Sequence, residues 1–183
     1  MSSDVPKGRL LVIGIGNADR ADDAIGLLVA SRVRADPALE DTHVITRAGD
    51  ILALIDEWAQ SHAVILIDAA APLSRPGHVH RIDVMVRGLP HELSLSGCAS
   101  THAFGVAETI GLARTLGKLP ACFIIYAVEG ACFAPGAAMT PAVIAAAETV
   151  SQSVLRELRD LMRPNSNDTL NSTSDRDFRI ASG

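Results

Sequence analysis

The chain has 183 residues, of which 48% are hydrophobic, 20% charged and only 3% aromatic, with a formal net charge of −5. This balance fits one folded domain with an Ala, Val, Ile and Leu core and excludes a disordered chain. The acidic balance, with no lysine/arginine cluster, argues against nucleic acid or an anionic membrane as the main partner, and no apolar run approaches the ~18 residues that span a bilayer.

Met1 to Arg9 carries no apolar segment of signal-peptide type, so the chain is expected in the cytoplasm. Leu10 to Ile15 is an apolar run broken by Gly14 and reads as a buried strand. Asp22 or Asp23 then opens a helix to about Arg34, with Ile25, Leu28, Val29 and Val33 at helical spacing. A second strand is expected at His43–Thr46, and Asp50 is placed to cap a helix carrying Ile51, Leu54, Ile55 and Trp58. Ala63 to Asp68 is apolar on both faces and reads as the central strand.

Pro72, Pro76 and Gly77 mark a turn, after which His78–Val84 alternates like a strand with one open face. The short connection suits an antiparallel neighbour. Gly88 to Gly97 reads as loop, Ala103–Leu116 as a helix ended by Gly117, and Cys122–Val128 as another buried strand. Pro141 starts a last helix with Ile144, Ala147, Val150, Val154, Leu158 and Leu161 as its apolar stripe. The domain is expected to span 9–162, between a flexible 1–8 and a polar, disordered 163–183. Cys98, Cys122 and Cys132 lack CxxC spacing and read as reduced, mostly buried thiols. Strands alternating with helices imply an α/β sandwich around a mostly parallel sheet, with ligands beyond the carboxyl ends of the strands.

Three segments place chemistry there. Gly14-Ile15-Gly16-Asn17-Ala18-Asp19 begins like a dinucleotide fingerprint, but Asp19 replaces the third glycine, and Asp22 and Asp23 would repel a polyanion. Asp68 ends the central strand and shares a crevice with Asp22 and Asp23 if the first and third strands are neighbours. Carboxylates held that close raise one another's pKa unless a cation joins them. Ser96 to Gly105 leads small and hydroxyl residues into a helix with His102 in its first turn, where a neutral imidazole is favoured. Two carboxylates and an imidazole suit a divalent ion such as zinc or nickel, with positions left for substrate or water. A Ser100/His102/Asp68 hydrolase lacks a Gly-x-Ser-x-Gly elbow. His78 and His80 face one side of a strand, as a second metal pair or as a solvated face, and Glu129 either borders the crevice or helps its own turn.

These motifs resemble the hydrogenase maturation endopeptidases, the family that trims the large subunit of [NiFe] hydrogenases. The resemblance rests on Val12 to Asn17 with Asp22 to Gly26, on Ile67-Asp68-Ala69, on Ser100 to Gly105, and downstream on Glu129-Gly130, Gly136 and Met139-Thr140-Pro141. It implies a three-layer α/β/α sandwich around a mostly parallel twisted sheet with one antiparallel strand. It also implies a metal-engaging trio, which falls on Asp23, Asp68 and His102. The implied activity removes a C-terminal extension from the large-subunit precursor after nickel insertion, with nickel supplied by the precursor and no nucleotide. Where many members carry an Asp-Gly-Gly-Thr type loop, this chain has Thr46-Arg47-Ala48-Gly49-Asp50. The alternative from a different class is a non-proteolytic module that recognises a metallated partner.

Overall fold

A computed structural model describes residues 9–39, 42–48, 51–88 and 101–163, with the backbone alone for 101–104. The expected N-terminal segment 1–8, the Asp50 cap, loop residues 89–97, Cys98 and the tail after Arg163 lie outside the described residues.

Strand β1 (Leu10–Ile15) is buried along its whole length because both of its faces carry aliphatic side chains. It pairs in parallel with β2 (His43–Arg47) on one side and β3 (Ala63–Ala70) on the other. β3 pairs in parallel with β5 (Cys122–Glu129), and β4 (Val79–Asp83) runs antiparallel on the outer edge of β5. The described sheet thus has five strands in the order β2-β1-β3-β5-β4. From its length, the short link after β3 is expected to join antiparallel neighbours. It delivers β4 to β5 instead, because β5 fills the place beside β3 with an eight-residue parallel register.

Helix α1 (Ile25–Arg34) and the last helix, α4 (Pro141–Met162), cover one face, where Val29, Val33, Val150 and Val154 share a buried cluster with Ile65 and Ile67. Helices α2 (Leu54–Trp58) and α3 (Thr101–Thr115) belong to the other face, where Trp58, Val106 and Ile110 cluster with Val64, Leu66 and Phe123. Trp58 meets Phe123 edge to face, ring centroids 5.1 Å apart. Both faces are therefore sealed, as a parallel sheet requires. Arg81 donates two hydrogen bonds to Glu157, at 2.7 and 3.0 Å, and ties the edge strand to α4.

Three details depart from the sequence reading. The chain enters α1 through a 3₁₀ turn, Ala21–Ala24, so Ala24 and not an aspartate holds the N-cap place of the helix. In α4, Ile144 faces solvent and Val143 takes the buried place. Cys122 and Cys132 are free thiols but only half-buried.

Candidate functional site

The strand order reverses at β1: β2 lies to one side and β3 to the other, with α1 and α2 on opposite faces. Such a switch point opens a crevice at the carboxyl ends of the two parted strands. Glycines bring α1 down onto that end. A Cβ on Gly26 would lie 2.2 Å from the Ile15 carbonyl oxygen and 2.5 Å from that of Ile67, so only glycine permits the approach. Gly16, at φ 151°, passes equally close, with Asp23 O at 1.9 Å from a notional Cβ. The 3₁₀ turn is thereby fixed above the ends of β1 and β3, and Ala21 within it is held at φ 47°, in the left-handed region.

The turn carries two buried aspartates with different duties. Asp22 Oδ2 accepts the N–H groups of Ala131 and Cys132 at 2.8 and 2.9 Å and the Thr140 hydroxyl at 3.0 Å. Its Oδ1 accepts the Thr140 N–H at 2.6 Å. Burial alone pushes the Asp22 carboxyl up, but these donors from Thr140, Ala131 and Cys132 outweigh it and hold the group below its ordinary 3.8. Asp22 is a clamp between the first turn and the loop before α4. Asp23 is 2% exposed, and its Oδ2 accepts the Asn17 N–H at 3.0 Å.

Asp68 lies on β3 one residue beyond the Gly14–Ile67 register pair, 5% exposed, with Oδ1 accepting the following Ala69 N–H at 2.8 Å. By strand alternation it belongs to the face of Leu66 and Ala70, which is the face covered by α3. Since α3 precedes β5 and runs back against the strands, its first turn, with His102, starts at their carboxyl end. The backbone thus brings the expected Asp23, Asp68 and His102 to one end of the sheet.

Glu129, wholly buried at the end of β5, also lies there. Its Oε2 accepts the N–H groups of Leu73, Ser74 and Arg75 at 3.0, 2.8 and 2.9 Å. Its Oε1 meets the Ser74 hydroxyl at 3.1 Å and His80 Nε2 at 2.7 Å. Burial raises this carboxyl, but the bonds from Ser74, His80 and Leu73 more than reverse that and bring it down to about 2. Glu129 therefore does more than help its own turn. It organises the link from β3 to β4, a role with no local sequence signal because its donors lie 54 to 56 residues away.

In the glycine loop, the Gly16 N–H is donated to the Arg47 carbonyl, that of Asn17 to Asp23, and that of Asp19 to Asn17 Oδ1. These three N–H groups, which could otherwise face a pyrophosphate, are donated within the protein. Arg47 itself turns to Glu57 in an ion pair and donates to the Thr46 carbonyl at 3.0 Å.

No protein-family model matches the chain. The hydrogenase 2 maturation protease of Escherichia coli (strain K12) is 26% identical over 154 residues, covering 83% of this chain and 92% of that protein. In sequence and in fold, the chain resembles the hydrogenase maturation endopeptidases. The structure of the hydrogenase maturating endopeptidase HybD from E. coli matches with a TM-score of 0.67 at 24% identity, over 83% of this chain and 93% of that one. The [NiFe] hydrogenase maturation protease HybD from Thermococcus kodakarensis matches with a TM-score of 0.62 at 20% identity, over 81% and 98%. These two structures bear on the maturation-endopeptidase fold: five described strands, mostly parallel with one antiparallel pair, flanked by helices. Among the described residues no helix is long and apolar enough to cross a membrane.

Proposed function

We propose that this chain is an endopeptidase that removes the C-terminal extension of a [NiFe] hydrogenase large-subunit precursor after nickel insertion. The observation that carries the reading is the pair of buried carboxylates, Asp23 and Asp68, at the switch point between β1 and β3, on the end of the sheet where the helix bearing His102 begins. The kinship with the E. coli hydrogenase 2 maturation protease supports it. Asp23, Asp68 and His102 engage the nickel that the precursor holds, and so bring the scissile peptide beside the ion. Oxygen and imidazole donors suit that ion. The nickel belongs to the substrate, and the N–H groups already donated inside the glycine loop speak against a nucleotide cofactor.

In this reading hydrolysis needs an activated water or a polarised carbonyl at the ion and a group to carry the proton, and one of the two carboxylates supplies the latter. In this proposal the enzyme works in the cytoplasm. Incubating the purified protein with nickel-loaded precursor should produce a mass loss at the precursor C-terminus. Asp23→Asn, Asp68→Asn and His102→Ala should each abolish it while the protein remains folded by circular dichroism. Full processing by any one variant would remove that residue from the site. Tight binding of the precursor by the wild-type chain without mass loss would make it a recognition module instead.

A further inference from the structure

We infer that His78, His80 and Glu129 form a second metal site, separate from the Asp23/Asp68/His102 crevice, for a divalent transition ion of the zinc, nickel or cobalt class. One donor atom from each of the three residues lies within 4.8 Å of the other two. The antiparallel pairing of β4 with β5 creates this convergence. His80 stands opposite Ala127, the Glu129 N–H donates to the His78 carbonyl, and strand alternation turns both imidazoles to the side on which Glu129 projects. The two rings meet edge to face, with centroids 4.6 Å apart and planes at 80°.

A hydrogen-bonded carboxylate–imidazole pair would need one histidine only. Here the second imidazole stands against the first at the same carboxylate. The chemistry of the set is two borderline nitrogen donors and one oxygen, which selects zinc, nickel, cobalt or copper over calcium or magnesium. Glu129 is already held as a metal-binding carboxylate is held, with Oε2 fixed by three backbone N–H groups and Oε1 turned to the imidazole. The ion requires neighbouring donors about 3.3 Å apart if each sits at the usual distance in a tetrahedron. The 2.7 Å contact between His80 and Glu129 therefore opens by about 0.6 Å as the ion enters. The movement falls to His80, whose side chain is 27% exposed while that of Glu129 is 0% exposed. The exposed side leaves coordination positions for water or for a donor from a bound partner.

The site is also placed with respect to the crevice. Asp68, Ala127 and His80 occupy one row across β3, β5 and β4, all on the same face. Two strand spacings separate Asp68 from His80, about 10 Å. An ion at the histidine pair thus puts positive charge beside the acidic crevice without sharing a ligand with it.

The test uses the untagged full-length chain and zinc alone, followed by calorimetric titration and by histidine ring resonances in NMR. His78→Gln/His80→Gln should weaken zinc binding about 100-fold or more, whereas Asp68→Asn should leave this binding event intact. In the wild-type chain, zinc should shift the ring signals of both His78 and His80. Unperturbed His78 and His80 signals at saturating zinc would overturn the inference. So would a titration that Asp68→Asn abolishes and the double histidine variant leaves unchanged, which would assign the ion to the crevice. The ring signals come from the unaltered protein, so a variant that fails to fold does not blunt the test. Because the readout is binding, its failure leaves the proteolytic reading untouched, and loss of processing leaves this site untouched.

Discussion

Replacing Asp22 with alanine removes an acceptor that serves three backbone N–H groups and one hydroxyl, all brought from the loop between β5 and α4. Hydrogen bonds to a charged acceptor contribute about 1.5–3 kcal/mol each, but bonds to one carboxylate are not additive, and water reaches part of the released loop. A total loss of about 3–5 kcal/mol is expected, the range for breaking a buried charged network. With an m-value of about 2 kcal/mol/M in urea, the unfolding midpoint should fall by about 2 M with no change in slope. Asp22→Asn keeps one acceptor oxygen and sets an amide donor against another donor, so it should lose roughly half as much. The pH dependence carries the sign. The carboxyl is held below its ordinary 3.8 in the folded chain, so its contribution is complete above that value and is lost as pH falls through the lower, folded one. The gap between wild type and Asp22→Ala should therefore be constant near neutrality and close in acid. A variant within about 1 kcal/mol of wild type at neutral pH, less than one hydrogen bond to a charged acceptor contributes, would refute the clamp.

Gly26→Ala should prevent soluble folding or cost more than about 3 kcal/mol, since its Cβ would strike two backbone carbonyl oxygens that cannot both retreat; expression level and thermal melting report it. Trp58→Ala, at a fully buried residue in edge-to-face contact with Phe123, should cost about 3–5 kcal/mol in urea unfolding. Glu129, held at about 2 against an ordinary 4.5, should contribute about 3 kcal/mol above pH 4.5 that disappears as pH falls toward 2. Glu129→Gln should flatten that part of an acid-unfolding curve.

Where burial alone decides structure, the sequence was readable. β1, β3 and β5 are largely apolar, buried runs that leave little choice of conformation, and the inward residues of α3, Val106, Ile110 and Ala113, follow from helical spacing. Asp68 could be placed near the carboxyl end of the central strand for the same reason, although the strand runs two residues further, to Ala70, because β5 continues to pair with it. What resisted reading depends on contacts between distant segments. Asp22 and Asp23 are adjacent and chemically identical, and only the arrival of Ala131, Cys132 and Thr140 gives the first its structural duty. His80 meets Glu129 across 49 residues because β5, and not β3, is the partner of β4, a pairing that the length of a loop does not encode. Ile144 and Val143 are adjacent on α4 and equally apolar, so a small rotation of the helix decides which is buried.

The reach of the Asp22 clamp also bears on the order of assembly during synthesis. Its donors lie 109 to 118 residues downstream, so a nascent chain that has emerged only as far as β3 holds both crevice aspartates but none of the groups that clamp Asp22 to the loop before α4. Closing so long a loop is unfavourable until the packing of α4 on α1 compensates. The acidic end of the sheet is therefore finished last, when the ribosome has released Thr140 and the helix behind it. Chains that end before Thr140 lack this clamp on the turn that carries Asp23.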